Sequence, residues 1–347
     1  MSASSTLALV TGAPGFVGGH LVRELLARGD RVRCLVRREG IPEALAGLDV
    51  EIVAGDLTRP STLADAVDGV DEVYHLAARL TAMRERDMLE TNVRGTRNLL
   101  EAVARSDRLV RFVHCSSLAV AGPCRADGLP VVESTPPAPV TWYGRSKALA
   151  ERAVLTFAAA GMPVTIVRPP VVYGPRDRGL LSVFQSVARG LRPVLGRRPK
   201  SYSWVYGPDL ARALVVLGRH PSTVGRTYFA GHDVASPMEE FLAAAADALG
   251  RRTVRVRVPE STVALLASAS DLLAQATGAP GMLTRDKVNE LRPAAWVCSS
   301  EAAARDAGWR ATTPLSVGVG ATARWYREHG WLGSRRDPRP TPSADVR

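Results

Sequence analysis

A phenol and an ammonium stand four positions apart at Tyr143 and Lys147, within Trp142-Tyr143-Gly144-Arg145-Ser146-Lys147. On a helix this spacing is just over one turn, so both side chains share a face. A free tyrosine titrates at about 10, too high for easy proton exchange at neutral pH. A cation beside it favours the phenolate, so Lys147 is expected to lower the Tyr143 pKa toward a useful range. Ser117 offers a hydroxyl just after the apolar run Val110–Cys115, where the end of a strand would present it to a ligand. Ser116, one residue earlier, should point away by strand alternation and support the turn.

A second constellation lies near the start. Residues 6–11 read as a short buried strand, followed by Gly12-Ala13-Pro14-Gly15-Phe16-Val17-Gly18 and a helix that runs to about Arg28 and stops at Gly29. Strand, glycine turn and helix N-terminus together cradle a pyrophosphate. The glycines admit close backbone approach, and the positive helix end faces the charge. The spacing is G-x-x-G-x-x-G rather than G-x-G-x-x-G, and its place after the first strand supplies the context the motif requires.

Further elements must position these groups. A strand over Arg31–Val36 ends in Arg37-Arg38, where an acid would bind a ribose 2′-hydroxyl and an arginine accommodates a 2′-phosphate. NADP is therefore expected over NAD, with NAD still possible. The third strand, Val50–Ala54, leads to Asp56 and Leu57; Asp56 could meet an adenine amino group or cap a helix starting near Pro60. The fourth, from Glu72, ends in the small residues Ala77 and Ala78, which let backbone lie against a coenzyme. His75 within it is expected to be a satisfied core residue. A long helix over about 86–106 carries Asn92, suited to holding backbone or water behind the site. The proline- and glycine-rich stretch 122–139 suits a mobile wall or lid. After the sixth strand, Val164–Val167, Pro169 and Pro170 stiffen a loop that could lie along a nicotinamide, and Val171 and Val172 offer apolar contacts to substrate. Strands alternating with helices make this an α/β chain, a Rossmann-type doubly wound parallel sheet. Residues 1–175 form the dinucleotide-binding part with the reactive residues. Residues 176–333 form a smaller, mostly helical substrate-binding region, some of it returning to the sheet. An Ala/Leu-rich helix at 261–276 would wall the substrate chamber, with weak membrane-surface association as its other reading. The polar, proline-rich residues 334–347 read as a disordered tail.

Composition narrows the function. The formal charge of +11 is dispersed and almost wholly arginine, with only three lysines, so no nucleic-acid stripe is indicated. Four cysteines far apart, without CxxC, suggest neither a metal site nor a disulfide framework. No stretch of 18 apolar residues exists to span a membrane, and the early first strand leaves no room for a signal peptide. A cytoplasmic protein is expected.

Gly12/Gly15/Gly18, Asp56, Ser117 and Tyr143/Lys147, in this order, resemble the extended short-chain dehydrogenase/reductases over about residues 5–330. In that family the turn is Thr-Gly-x-x-Gly-x-x-Gly, here Thr11 to Gly18. The resemblance implies that Tyr143 exchanges a proton with the carbonyl or alcohol oxygen, that Lys147 also binds the nicotinamide ribose, and that Ser117 holds the same oxygen. It implies a homodimer formed through the helices near 86–106 and 142–160. Relatives that use nucleotide sugars carry an Asn at the position of Val171 and an Arg at that of Tyr202. These departures bring the chain nearer the 3β-hydroxysteroid dehydrogenase and dihydroflavonol reductase branch, whose substrates are lipophilic ketones and alcohols. The expectation is an NADP(H)-dependent carbonyl/alcohol oxidoreductase on a hydrophobic small molecule. Its rivals are a nucleotide-sugar epimerase or dehydratase with tightly held NAD, and a non-catalytic dinucleotide sensor or scaffold.

Overall fold

The structure, a computed structural model, describes residues 6–37, 40–106, 108–124, 128–277 and 284–332. Arg38 and the expected tail at 334–347 lie outside the described residues. Strand β1 (Leu7–Thr11) is buried along its whole length, as a strand covered on both faces must be, and the glycine turn passes it to α1 (Phe16–Ala27). Next come β2 (Arg31–Val36), β3 (Glu51–Ala54), the short α2 (Ala64–Val67) and β4 (Glu72–His75). The helix expected over 86–106 is not continuous. α3 (Glu85–Leu89) passes through one π turn, Glu90–Arg94, into α4 (Gly95–Val103). Such a bulge re-aims the side chains it carries, here Asn92. β5 (Arg111–Cys115), α5 (Trp142–Ala159) and β6 (Val164–Arg168) complete this half.

The remainder is less helical than its composition suggests. β7 (Val171–Tyr173), α6 (Leu181–Ala188), β8 (Leu191–Leu195), β9 (Ser201–Tyr202) and β10 (Trp204–Tyr206) lead to α7 (Gly207–Arg219) and β11 (Arg226–Phe229). β12 (Ser236–Pro237), α8 (Met238–Leu249), β13 (Val254–Val258) and the helices α9 (Glu260–Thr277) and α10 (Arg285–Leu291) follow. β14 (Ala295–Trp296), α11 (Glu301–Ala307) and α12 (Leu315–Glu328) finish the described chain. Three small sheets, β7 with β10, β8 with β13, and β12-β9-β14, account for the strands outside the main sheet.

The main sheet has seven parallel strands in the order β3-β2-β1-β4-β5-β6-β11. Strand order reverses beside β1, where Thr11 pairs with Leu35 on one side and His75 on the other. In an open α/β sheet this is where a crevice opens at the carboxyl ends of the strands. β11 and α7, from beyond residue 175, complete the edge and one cover of that sheet. One apolar core, with Leu21, Leu25, Leu210 and Leu214, packs α1 and α7 on one face. A second, with Leu99, Leu100, Phe112 and Val154, fills the other face. A third, built on Trp204, Phe184, Phe241 and Tyr326, binds α6, α8 and α12 together. Within the first half, the bidentate pair of Arg168 with Glu151, both buried, ties the end of β6 to α5 at 2.6 and 2.8 Å.

Candidate active site

The crevice begins at the glycine turn. Gly12 has φ +75°, and a Cβ there would stand 2.8 Å from the Ala77 amide nitrogen. A Cβ on Gly18 would stand 2.1 Å from the Gly12 carbonyl oxygen. Only hydrogen fits at either position, so the turn, the end of β4 and the first turn of α1 lie in backbone contact. Gly15 caps α1 with no side-chain hydrogen bond, leaving the amides at Phe16 and Val17 to face the crevice as an anion cradle. Such a cradle fits a dinucleotide pyrophosphate.

Around it, Arg37 is exposed at the end of β2 and draws the Asp56 carboxyl down, after the stronger effect of the Thr58 backbone amide. Asp56 does not cap the helical turn at Pro60. It accepts from the Thr58 amide and hydroxyl, both at 2.8 Å, because a carboxylate two residues upstream closes a tight turn at shorter range. The Leu57 side chain packs into the core, and its carbonyl accepts from Asn98. Ala77 and Ala78 lie past the end of β4, with the Ala77 amide donating to the Thr11 hydroxyl.

The second group converges where β5 ends and α5 begins. The Thr141 hydroxyl caps α5 by accepting from the Gly144 amide, and a Cβ on Gly144 would meet the Ala119 carbonyl at 2.5 Å. This close approach sets Tyr143 against Ser117. The Ser117 oxygen accepts from the Ala119 amide at 3.1 Å, and its hydroxyl lies near enough to the Tyr143 phenol to pull that group's pKa down. The Ser116 hydroxyl is buried without a partner among the described residues.

Lys147 is buried, and burial lowers its pKa. Its Nζ donates to the Cys115 carbonyl at 2.7 Å and lies 3.3 Å from His114 Nε2. The expected effect on Tyr143 is not found. Burial pushes the phenol well above its ordinary value, Cys115 and Glu290 push it further, and Ser117 alone among the groups acting on it pulls it down. The Lys147 ammonium is instead directed at the backbone of β5, which the four-residue spacing did not disclose.

Asn92, aimed by the π turn, accepts from the Arg79 amide and donates to the Arg79 carbonyl and the Ser146 hydroxyl. It thus holds the chain after β4 to α5. His75 is the core residue expected, bonded to Thr11 and Thr96 at 2.7 and 2.8 Å. Burial lowers its pKa to about 3, and burial holds His114 well below the usual imidazole range.

A groove of about 560 Å³ opens beside Tyr143, between the chain at 82–83, the start of α5, and α9 with α10. Ala82, Met83, Trp142, Leu272 and Ala274 supply its apolar wall, and Asp271, Asp286 and Arg285 its polar edge. A narrower recess sharing Ala82, Trp142, Thr284 and Asp286 reaches Tyr143 itself. Burial raises the Asp286 pKa, and its carboxylate accepts from the Trp142 amide at 3.0 and 3.1 Å. Trp142, Asp286 and Glu290 were not singled out from the sequence. Only the helical register around Tyr143 could have pointed to Trp142, and the two acids are brought in by tertiary packing.

Three further expected elements are placed as follows. Val171 and Val172 belong to β7, half-buried against the cores, and line neither recess, because pairing with β10 draws them away. Pro169 and Pro170 are buried, and the Pro169 carbonyl accepts from Leu118 at 2.8 Å, beside Ser117. The described residues of the stretch 122–139 form no free lid. Val131 bridges Cys298, Cys124 donates to the Ala295 carbonyl, and Glu133 accepts from the Phe229 amide.

With this geometry the comparisons with known proteins agree. Residues 8–231 match the model of the NAD dependent epimerase/dehydratase family. The chain belongs to that family. Ceramide reductase of Caulobacter vibrioides is 31% identical over 331 residues, spanning 93% of this chain and 95% of that protein. 3 beta-hydroxysteroid dehydrogenase/Delta 5-->4-isomerase of Mycobacterium tuberculosis is 31% identical over 271 residues, 72% of this chain and 71% of that one. Among solved structures, that of gox2253 superposes with a TM-score of 0.79 at 30% identity, covering 94% of this chain and 100% of that one. This extended short-chain dehydrogenase/reductase is therefore an NAD(P)-dependent oxidoreductase with the fold of its relatives.

Proposed function

We propose that this short-chain dehydrogenase/reductase interconverts a ketone or aldehyde and a secondary alcohol on a lipophilic small molecule, with NADP(H) as coenzyme. The observation that carries the reading is the Ser117 hydroxyl beside the Tyr143 phenol, with Tyr143 lining a narrow recess that shares Ala82 and Trp142 with a groove of mixed apolar and polar lining. The bound coenzyme would supply or accept the hydride. Ser117, its lone pair engaged by Ala119, donates to the carbonyl oxygen; Tyr143, kept protonated by burial, delivers the proton as charge develops there. Lys147, anchored at the Cys115 carbonyl, holds the ribose of the coenzyme, and Gly12, Gly15, Phe16, Val17 and Gly18 form the pyrophosphate cradle. Arg37, exposed beside an Asp56 whose carboxylate is already engaged by Thr58, favours a 2′-phosphate, and Arg38 would join it.

Met83, Trp142, Leu272 and the alanines around them suit a hydrocarbon better than a sugar diphosphate. The relatives named as a ceramide reductase and a steroid dehydrogenase support that substrate class. Residues 1–175 would carry coenzyme and chemistry, and 176–333 mainly the substrate. Four free thiols fit the reducing cytoplasm, and the exposed Leu149 and Leu155 on α5 fit a homodimer. Lipophilic and sugar-linked carbonyl compounds screened by loss of NADPH absorbance test the reading. Tyr143→Phe should lower turnover by about 100- to 10,000-fold with coenzyme affinity unchanged. A loss of only a few-fold would refute the role of Tyr143.

A further inference from the structure

Helix α9 is turned inside out relative to an ordinary surface helix. The residues it buries are small, Ala267 at 0% and Ala274 at 6% exposure, whereas Leu265, Leu266, Leu272 and Leu273 are 55–71% exposed. Their positions, i, i+1, i+7 and i+8, place all four on one face. The opposite edge, through Ser268, Asp271 and Ala274, walls the groove that leads toward Tyr143, and Leu272 belongs to both. A contiguous leucine face that is left to water needs a partner.

The charge around the helix indicates which one. Residues 251–292 carry seven basic and four acidic side chains. Each of the four acids is turned onto a protein group: Glu260 onto Lys200, Asp271 onto the Arg285 amide, Asp286 onto the Trp142 amide and Glu290 onto the Thr141 hydroxyl. Among the arginines, Arg255 pairs with Glu239 and Arg285 donates to the Ser268 hydroxyl, but three others are not so engaged. Arg251, Arg252 and Arg257 are exposed and, among the described residues, form no ion pair. They sit on and just before β13, which leads through Pro259 straight into α9 and itself leaves Val254 at 68% exposure. Outward leucines preceded along the chain by outward arginines, with each acid engaged by a protein group, complement an anionic lipid surface.

We propose that α9, together with β13 and the arginines just before it, docks this protein on an anionic membrane surface, and that the groove beneath α9 receives a bilayer-resident lipid carbonyl or alcohol. The docking goes beyond the function proposed above, and only the identity of what enters the groove rests on that reading. In this arrangement the leucine face lies among the acyl chains, the arginines meet lipid phosphates, and substrate moves along the underside of α9 without crossing water.

Vesicle co-sedimentation tests the docking, using phosphatidylcholine alone and phosphatidylcholine mixed with phosphatidylglycerol. The protein should pellet with the anionic vesicles, leave them as salt rises, and remain in solution with the neutral ones. Leu265→Glu with Leu273→Glu should weaken binding by at least about tenfold, as should Arg251→Glu with Arg252→Glu. Both exposed pairs should leave the thermal midpoint and turnover of a water-soluble carbonyl compound unchanged. Binding that ignores lipid charge, survives the leucine substitutions, or is absent from every vesicle overturns the proposal. So does a wild-type dimer that light scattering finds dissociated by Leu265→Glu with Leu273→Glu, since a second copy would then be what covers the face. Turnover without vesicle binding would sink the docking alone, and vesicle binding without turnover of any carbonyl compound would sink the reductase reading alone.

Discussion

Acid should unfold this protein through the imidazoles behind its site, and the size of the effect follows from their burial. His75 is enclosed between Thr11 and Thr96, with its pKa lowered by burial to about 3, and His20 is lowered, again mainly by burial, to about 4. In the unfolded chain both return to about 6.5. Below that pH the unfolded state takes up protons that the folded state refuses, so stability is lost as pH falls from the unfolded value toward the folded one. Each unit costs about 1.4 kcal/mol per imidazole, so at pH 5 the loss is about 2 kcal/mol each. Because pH 5 lies above both folded values, this figure barely depends on their placement between 3 and 4. Together they remove about 4 kcal/mol, a large share of the stability of an ordinary domain, and His114 adds in the same direction. Urea unfolding followed by tryptophan fluorescence at pH 7.5, 6 and 5 measures the slope. His75→Gln, which keeps one donor and one acceptor for the two threonines, should cut that slope by about 1.4 kcal/mol per pH unit. A wild-type stability flat from pH 7 to 5, or a variant with an unchanged slope, would refute the burial argument.

Three further outcomes are expected. Gly18→Ala should cost about 1–3 kcal/mol of stability and weaken coenzyme binding, read by fluorescence titration, because its methyl group would stand 2.1 Å from the Gly12 carbonyl. Glu151→Gln leaves the buried Arg168 guanidinium uncompensated and should cost about 3–5 kcal/mol, measured as a drop in the urea midpoint. Arg37→Ala should weaken NADPH by about tenfold while leaving NADH nearly unchanged, and equal weakening of both would remove the 2′-phosphate assignment.

What was legible in the sequence was local. The glycine turn, the strands around it and the shared face of Tyr143 and Lys147 depend on spacings within a few residues, and β2 and α5 lie where their patterns put them. Long-range pairing was not legible. β8 meets β13 through Leu191 and Val254, and nothing in either run announces the other. The groove assembles Met83, Trp142, Asp271 and Asp286 from four separate segments. Lys147 lies beside Tyr143 in sequence, but its ammonium is directed by the carbonyl of Cys115, a contact fixed by how α5 seats on β5. The Ala/Leu-rich helix reads as a chamber wall or a weak membrane-surface element, and one edge of α9 lines the groove. That its bulkier face would point outward depends on the small alanines packing inward, and composition alone does not reveal orientation.

The amide of Trp142 is gripped by a carboxylate from α10, and Tyr143 is the next residue along. In the reaction proposed above, cargo and chemistry are thereby yoked. A molecule bulky enough to lever α10 outward must loosen the first turn of the helix that presents the phenol. Oversized cargo should accordingly be held well yet processed slowly, so that discrimination shows in kcat more than in KM.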